Sequence, residues 1–308
     1  MVEAGPHSTS IRREPLSGRE TVFADIRDRR PRPEEDHDCP FCPGNERLLA
    51  EIIWQLDGPC GWRTRAVSNR YPIVAPPAGR HEIIIESPDH PLTTAAMTPE
   101  TWRDVLATWS LRHRALASDW RYVTLYRNAG RRAGATIDHP HSHLVAMSHV
   151  PAAVRATRRR QRRAGRCLLC DQVERAGGEG RIVARSAHYA VLVPEVPEVS
   201  FEVWVAPRAH TGLFAPAGEE PGALAAALHD LFDRMHAVLG DFGHNMMLEG
   251  AGPGESPHLH WFLRLRPRLE YGGGFEFATG MSVNASDPAA DAAALRDAGA
   301  TGRRRLSP

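Results

Sequence analysis

Apolar residues recur at helical spacing in two long segments, Thr98 to Ser118 and Gly222 to Gly240, and each predicts an amphipathic helix. Each is followed by an alternating run that predicts a strand, RYVTLYRN from Arg121 and GHNMMLEG from Gly243. Each is preceded by an apolar, strand-like run, HEIIIESPD from His81 and FEVWVAPRA from Phe201. The cysteines repeat in the same way. Cys39-x-x-Cys42, His90 and His139 in the first half are matched by Cys167-x-x-Cys170, His210 and His260, each roughly 120 to 130 residues later. Each half therefore reads as a Cys-x-x-Cys turn, strands, one long helix and two closing strands. The pattern predicts an α+β fold of two similar units with antiparallel sheet, residues 1–150 and 151–308, packed side by side.

Between the halves, Pro151 to Arg166 carries Arg155, Arg158, Arg159, Arg160, Arg162, Arg163 and Arg166. Such a run is either an arm for RNA or phosphate or a solvated helix leading into the second cysteine pair, and the second reading is preferred because charge runs are usually exposed faces. The segment DPAADAAALRDA after Asn284 predicts a polar helix with a frayed basic end.

Charge changes the picture only by exclusion. Thirty-eight basic residues against 37 acidic ones leave a net charge of +1, which argues against nucleic acid or an anionic membrane as the main partner. Every one of the cations is arginine, so chemistry that needs a Schiff-base or P-loop lysine is excluded. The polar start, MVEAGPHSTSIRREPL, has no apolar stretch long enough for a signal peptide, and no run of about 18 apolar residues predicts a membrane span. The expectation is a cytoplasmic protein whose paired cysteines bind metal rather than each other.

Zinc takes four tetrahedral ligands, and a Cys-x-x-Cys turn with two histidines carried by strands supplies them. Cys39, Cys42, His90 and His139 would form one such site, and Cys167, Cys170, His210 and His260 a second. His258 competes with His260 at the second. With no open position, both are expected to be structural Zn²⁺ sites.

In HPHSH, His139, His141 and His143 alternate, and a strand would place all three on one face. If His139 is committed to metal, His141 is left as an imidazole beside a rigid anchor. The preceding glycine-rich stretch, YRNAGRRAGATID, is of the kind that turns backbone N–H groups toward an anion. Attack of imidazole nitrogen on phosphorus is one reading; a non-catalytic metal-binding cluster is the other.

Many segments resemble one family in that family's own order. They are RREPLSGRETVFADIRDRRP, CPFCPGNE, VSNRYPIV, HEIIIESPDH, YRNAG with HPHSH, CLLCD, VWVAPRAH, LHWFLRLRPRL and GGGFEFATG. The chain resembles the galactose-1-phosphate uridylyltransferase family of the histidine-triad superfamily, which has ADP-glucose phosphorylase among its relatives. The resemblance implies tandem histidine-triad-like units, a homodimer and a role in galactose and carbohydrate metabolism. It also implies ping-pong transfer of a nucleoside monophosphate, UMP, between a hexose 1-phosphate and a nucleotide sugar. His141 would be the nucleophile, its ring oriented by the carbonyl between the two histidines of His-Pro-His. The two cysteine–histidine sets resemble the family's structural zinc ligands and a second metal site.

By the same resemblance Arg27 and Arg30 approach the nucleotide phosphate, Asn69 contacts the nucleotide, and Asn128 and Thr136 hold the α-phosphate. Gly274, Phe275 and Glu276 would grip the sugar phosphate. Two positions depart from the family's pattern. His143 stands where these transferases usually carry glutamine and the hydrolase branch carries histidine. Phe275 stands where hexose uridylyltransferases tend to have tyrosine. The alternatives are therefore a phosphorylase or hydrolase of a nucleotide sugar or dinucleoside polyphosphate, with His143 assisting the leaving group or water, and a zinc-stabilised nucleic-acid-binding module.

Overall fold

The computed structural model describes residues 9–30, 38–90, 92–216, 221–252 and 258–305. The start of the polar N-terminal stretch lies outside these residues. A hairpin of β1 (Thr9–Arg13) and β2 (Glu20–Ala24) comes first. The first half continues with β3 (Ile52–Gly58), β4 (Gly61–Ser68), β5 (Gly79–Ile85), helix α1 (Pro99–Asp119), β6 (Tyr122–Ala129) and β7 (His141–Met147). Helices α2 (Ala152–Ala164) and α3 (Leu168–Gly178) lead into the second half. There β8 (Ile182–Arg185), β9 (Tyr189–Leu192), β10 (Val203–Pro207), α4 (Pro221–Leu239), β11 (His244–Glu249) and β12 (Phe262–Pro267) repeat the plan. A short α5 (Gly274–Thr279) and the terminal α6 (Pro288–Arg305) close the chain.

Among the described residues all strands but the N-terminal pair form one ten-stranded sheet in the order β3-β4-β5-β7-β6-β11-β12-β10-β9-β8. Counted inward from either edge, each half follows the same sequence: its first, second, third, fifth and fourth strand. Every paired neighbour is antiparallel, and the halves meet where β6 pairs with β11. The α+β architecture and the antiparallel sheet expected from the pattern are those observed.

Local chemistry explains the long helix. The Thr98 hydroxyl accepts a hydrogen bond from the Thr101 N–H at 3.2 Å, and Pro99 opens the first turn without a wasted donor. Trp102, Val105, Leu106, Trp109 and Leu116 then form one buried face. Trp102 stacks on Phe232 of α4, centroids 5.6 Å apart and 4° from parallel, so the two long helices cover the same side of the sheet. Trp109 donates to the Ser142 hydroxyl at 2.6 Å. Ser142 thus faces the helices, and by the period of two His141 and His143 face the other side.

Three details differ from the sequence pattern. His139 stops short of β7, in the bend before it, so that its ring turns toward the cysteines instead of joining the face of His141 and His143. The second cysteine pair opens a helix, with Cys167 as the N-cap of α3. The terminal helix is docked as well as polar: Ala292 and Leu295 are fully buried, and Asp291 accepts from the Phe201 N–H at 2.8 Å. The arginine-rich link is a helix with no buried residue, as the solvated reading expects; Arg155 pairs with Glu20, and Arg166 with Asp171. Among the described residues no helix is long and apolar enough to cross a membrane.

Candidate active site and metal centres

Each cysteine pair meets its two histidines. The ligand atoms of Cys39, Cys42, His90 and His139 all lie within 4.8 Å of one another, as do those of Cys167, Cys170, His210 and His260. His260, not His258, closes the second group. In the first, His139 Nδ1 is 3.7 Å from each sulfur and 3.2 Å from His90 Nδ1. In the second, His260 Nδ1 is 3.5 and 3.3 Å from the sulfurs, and His210 Nδ1 is 3.7 Å from Cys170 Sγ. The edges of a tetrahedron with Zn–S near 2.3 Å and Zn–N near 2.0 Å run from about 3.3 Å between nitrogens to about 3.8 Å between sulfurs, so both groups fit a metal of that size. The other ring nitrogen is also accounted for: His139 Nε2 donates to Ser87 O at 2.7 Å and His260 Nε2 to Pro207 O at 2.9 Å. Burial, then its neighbouring thiol, pushes Cys39 up to about 11, and Cys170 similarly rises to about 12. A dication beside them is what makes such thiols thiolates.

The carbonyl of His139 accepts from His141 Nδ1 at 2.8 Å. That bond places the proton on Nδ1 and leaves the Nε2 lone pair available. The orienting carbonyl is therefore His139's own, not that of Pro140, which accepts from the Glu86 N–H at 3.0 Å. Burial, opposed by the His139 hydrogen bond and aided by the Arg127 and Arg30 guanidiniums, lowers His141 to about 4. The ring is neutral at physiological pH, as a nucleophile must be.

His141 and His143 line a cavity of about 520 Å³. One wall is apolar, with Phe41, Leu49, Val67, Ile83 and Ile137; Phe41 packs 5.2 Å from the His141 ring. The other is polar and collects five of the predicted residues: Arg27, Arg30, Asn69, Asn128 and Thr136. Arg27 donates to Tyr71 O at 2.9 Å, Arg30 donates to the Thr136 hydroxyl, and Asn69 Oδ1 accepts from the Tyr71 N–H at 2.8 Å. Among the described residues neither Arg27 nor Arg30 is paired with a carboxylate, and burial together with Arg27 lowers Arg30. Two adjacent cations favour an anion. A second cavity, of about 430 Å³, adjoins the first and shares Asn128, Ile137 and His141 with it.

Gly274, Phe275 and Glu276 are not brought to this site. They open α5, where Glu276 accepts from the Gly273 N–H at 2.8 Å, and they line neither cavity of their own chain.

The sequence reading missed His81. Its Nδ1 accepts from the Ile73 N–H at 3.0 Å and lies 3.3 Å from Asn69 Nδ2, while its Nε2 is 3.1 Å from His143 Nδ1. Burial, Arg27 and Arg30 lower His81 to about 3, so it is neutral. With the Ile73 N–H donating to Nδ1, the His81 proton is on Nε2 and points at His143 Nδ1. His143, also held neutral by burial and by His141 and His81, then carries its own proton on Nε2. His81 thus presents His143 to the cavity as a hydrogen-bond donor. Replacing His81 by phenylalanine should cut transfer by about tenfold to a hundredfold with little change in KM. An unchanged turnover number would show that the His143 tautomer does not matter. No signal along the chain marks His81: the register Ile83↔His143, set only in the folded sheet, brings it, two residues back on the same face, beside His143.

With this geometry in view, comparison with known proteins is decisive. The N-terminal domain of the galactose-1-phosphate uridyl transferase family matches residues 61–151, the stretch that contains His81, Asn128, Thr136 and the three histidines of HPHSH. Over this stretch the chain is similar to that family. An ADP-glucose phosphorylase of Arabidopsis thaliana is 26% identical over 96% of this chain and 94% of its own length. A galactose-1-phosphate uridylyltransferase of Haemophilus influenzae is 26% identical over 75% of this chain and 72% of its own. The crystal structure of an Arabidopsis thaliana ADP-glucose phosphorylase with bound ADP-glucose superimposes with a TM-score of 0.76, covering 94% of this chain and 99% of that one at 26% identity. In line with these similarities the protein is a nucleotidyltransferase.

Proposed function

We propose that the protein moves UMP between a hexose 1-phosphate and a nucleotide sugar through a nucleotidyl-His141 intermediate. The observation that carries this is the neutral His141, its proton held on Nδ1 by a carbonyl, in a cavity that Arg27 and Arg30 also line. His141 Nε2 attacks the α-phosphorus; the N–P bond forms as the P–O bond to the sugar phosphate breaks. The His143 Nε2–H stabilises the leaving oxygen, and Arg27, Arg30, Asn128 and Thr136 hold the phosphoryl oxygens. A second sugar phosphate then attacks phosphorus and restores the free imidazole.

The ordering of the His139 carbonyl calls for a metal at the first site, and the soft–borderline donor set favours Zn²⁺ at both. Residues 1–150 carry the chemistry, while 151–308 keep the metal but have Phe262 two residues after His260, where the first half has its nucleophile. The enzyme is a homodimer. Phe275 and Phe277 are 52% and 73% exposed on a segment that misses its own cavities, which suits delivery of Gly274, Phe275 and Glu276 to a second copy. Sedimentation of a monomer with full activity would refute the dimer. A cytoplasmic site of action agrees with five unbridged cysteines.

A second reading, in which orthophosphate is the acceptor and ADP-glucose the donor, is favoured by the nearly full-length similarity to ADP-glucose phosphorylase and by His143. Labelled UDP-glucose and ADP-glucose, each with galactose 1-phosphate or with orthophosphate, distinguish the two. UDP-galactose is the expected product of the first reading and ADP with glucose 1-phosphate that of the second. Release of UMP or AMP with every acceptor would instead make the protein a hydrolase.

A further inference from the structure

The second half does more than carry a metal. Asn245 of β11 lies opposite Asn128 of β6, across the seam between the halves. Its Nδ2 is 2.8 Å from Asn128 Oδ1 and 2.9 Å from the main-chain oxygen of Ala133. A backbone carbonyl can only accept, so the Asn245 atom facing it must be the amide nitrogen. That nitrogen has two hydrogens, one for each partner. The Asn128 atom it meets must then be oxygen, so the usual ambiguity of an asparagine amide is resolved for both residues. What Asn128 has left to offer a ligand is its NH2 group, on the wall shared by the two cavities.

We infer that Asn245 is a positioning residue for nucleotidyl transfer, holding the Asn128 amide so that its N–H groups, and not its oxygen, meet the phosphoryl group. The inference rests on the proposed contact between Asn128 and the phosphate. Without the Asn245 donor, Asn128 is free to rotate by half a turn, and its oxygen would then oppose phosphate oxygens at the moment negative charge builds on them.

The seam leaves Asn245 no room to slip. A Cβ on Gly130 would lie 3.2 Å from Gly243 Cα, and one on Gly243 would lie 3.2 Å from Ala129 O. Gly130 also has φ +81°, which suits only glycine at this close approach. Beside it, His244 Nε2 is 3.0 Å from Arg127 Nη1, so consecutive residues of β11 hold consecutive residues of β6. The bond to Ala133 fixes the turn just before Thr136, the other residue expected at the phosphate. Asn245 itself lines neither cavity.

The test is a double-mutant cycle on single-turnover release of glucose 1-phosphate, from whichever of UDP-glucose and ADP-glucose reacts faster. Asn128→Ala and Asn245→Leu should each slow release by about 100-fold, and the double variant should be slower than Asn128→Ala by no more than about threefold. Independent, multiplying effects would assign Asn245 a purely structural role and overturn the inference, as would an Asn245→Leu rate within about twofold of the parent. If Asn128→Ala alone is silent, the phosphate contact falls, and this inference with it. Thermal unfolding of each variant checks the fold. Should Asn245→Leu not fold, the isosteric Asn245→Asp serves: a carboxylate cannot donate, Asn128 turns its NH2 toward it, and adding Asn128→Ala should then raise the rate. A further fall in that double variant overturns the inference.

Discussion

Alanine in place of His141 should reduce nucleotidyl transfer by about 10⁵-fold or more. Among the described residues no other imidazole or amine of the cavity can take over. The chain has no lysine, His81 has its Nε2 proton committed to His143, and His143 has its Nδ1 occupied and a proton on Nε2. Neither neighbouring imidazole offers a lone pair toward phosphorus. The fold should survive, because the substitution removes one hydrogen bond and one buried ring, a loss of about 2 to 4 kcal/mol, and none of the eight cysteines and histidines of the two candidate metal groups. The measurement is intact-protein mass after mixing with UDP-glucose or ADP-glucose, together with metal content. A nucleotidyl adduct of undiminished yield on the His141→Ala protein would remove the nucleophile from the account.

The second large effect concerns the metals, and it is asymmetric. Replacing Cys42 by serine weakens the first centre, and His139 loses the anchor that holds its ring. Its carbonyl is the acceptor for His141 Nδ1, so the tautomer and aim of the nucleophile go with it. Transfer per folded chain should drop by about 100-fold. Cys170→Ser should release the second metal and lower the unfolding temperature, yet leave transfer per folded chain within about threefold of the parent. There the residue two positions after the ligand His260 is Phe262, packed 4.5 Å from Trp204, with no proton to place. Metal analysis alongside the rate of glucose 1-phosphate release checks both. Equal loss of rate in the two variants would mean that the first centre acts through general stability and not through His141.

Much of this was legible along the chain. The helices Pro99–Asp119 and Pro221–Leu239 lie within two residues of their periodic segments, because amphipathic spacing and a Thr-Pro start are local properties. The duplicated cysteine and histidine spacing led to both metal groups, since metal geometry restricts which residue types recur together. The docked side of the terminal helix was not legible: Ala292 and Leu295 look unremarkable among alanines until α4 and β8 are packed against them. His81 was hidden for a related reason. It stands 62 residues from His143, and only strand register joins them.

Residue type and spacing alone determined which atoms could do chemistry: eight metal donors, a central imidazole, and arginines in place of every lysine. Where each proton rests was decided in three dimensions. The Nδ1–H of His141, the Nε2–H of His143 and the NH2 of Asn128 each point as they do because a partner distant in sequence, or the backbone carbonyl of a residue turned toward the paired cysteines, accepts or donates on the opposite side. Hydrogen bonds act over about 3 Å, and no pattern along a chain records which remote atoms will come that close.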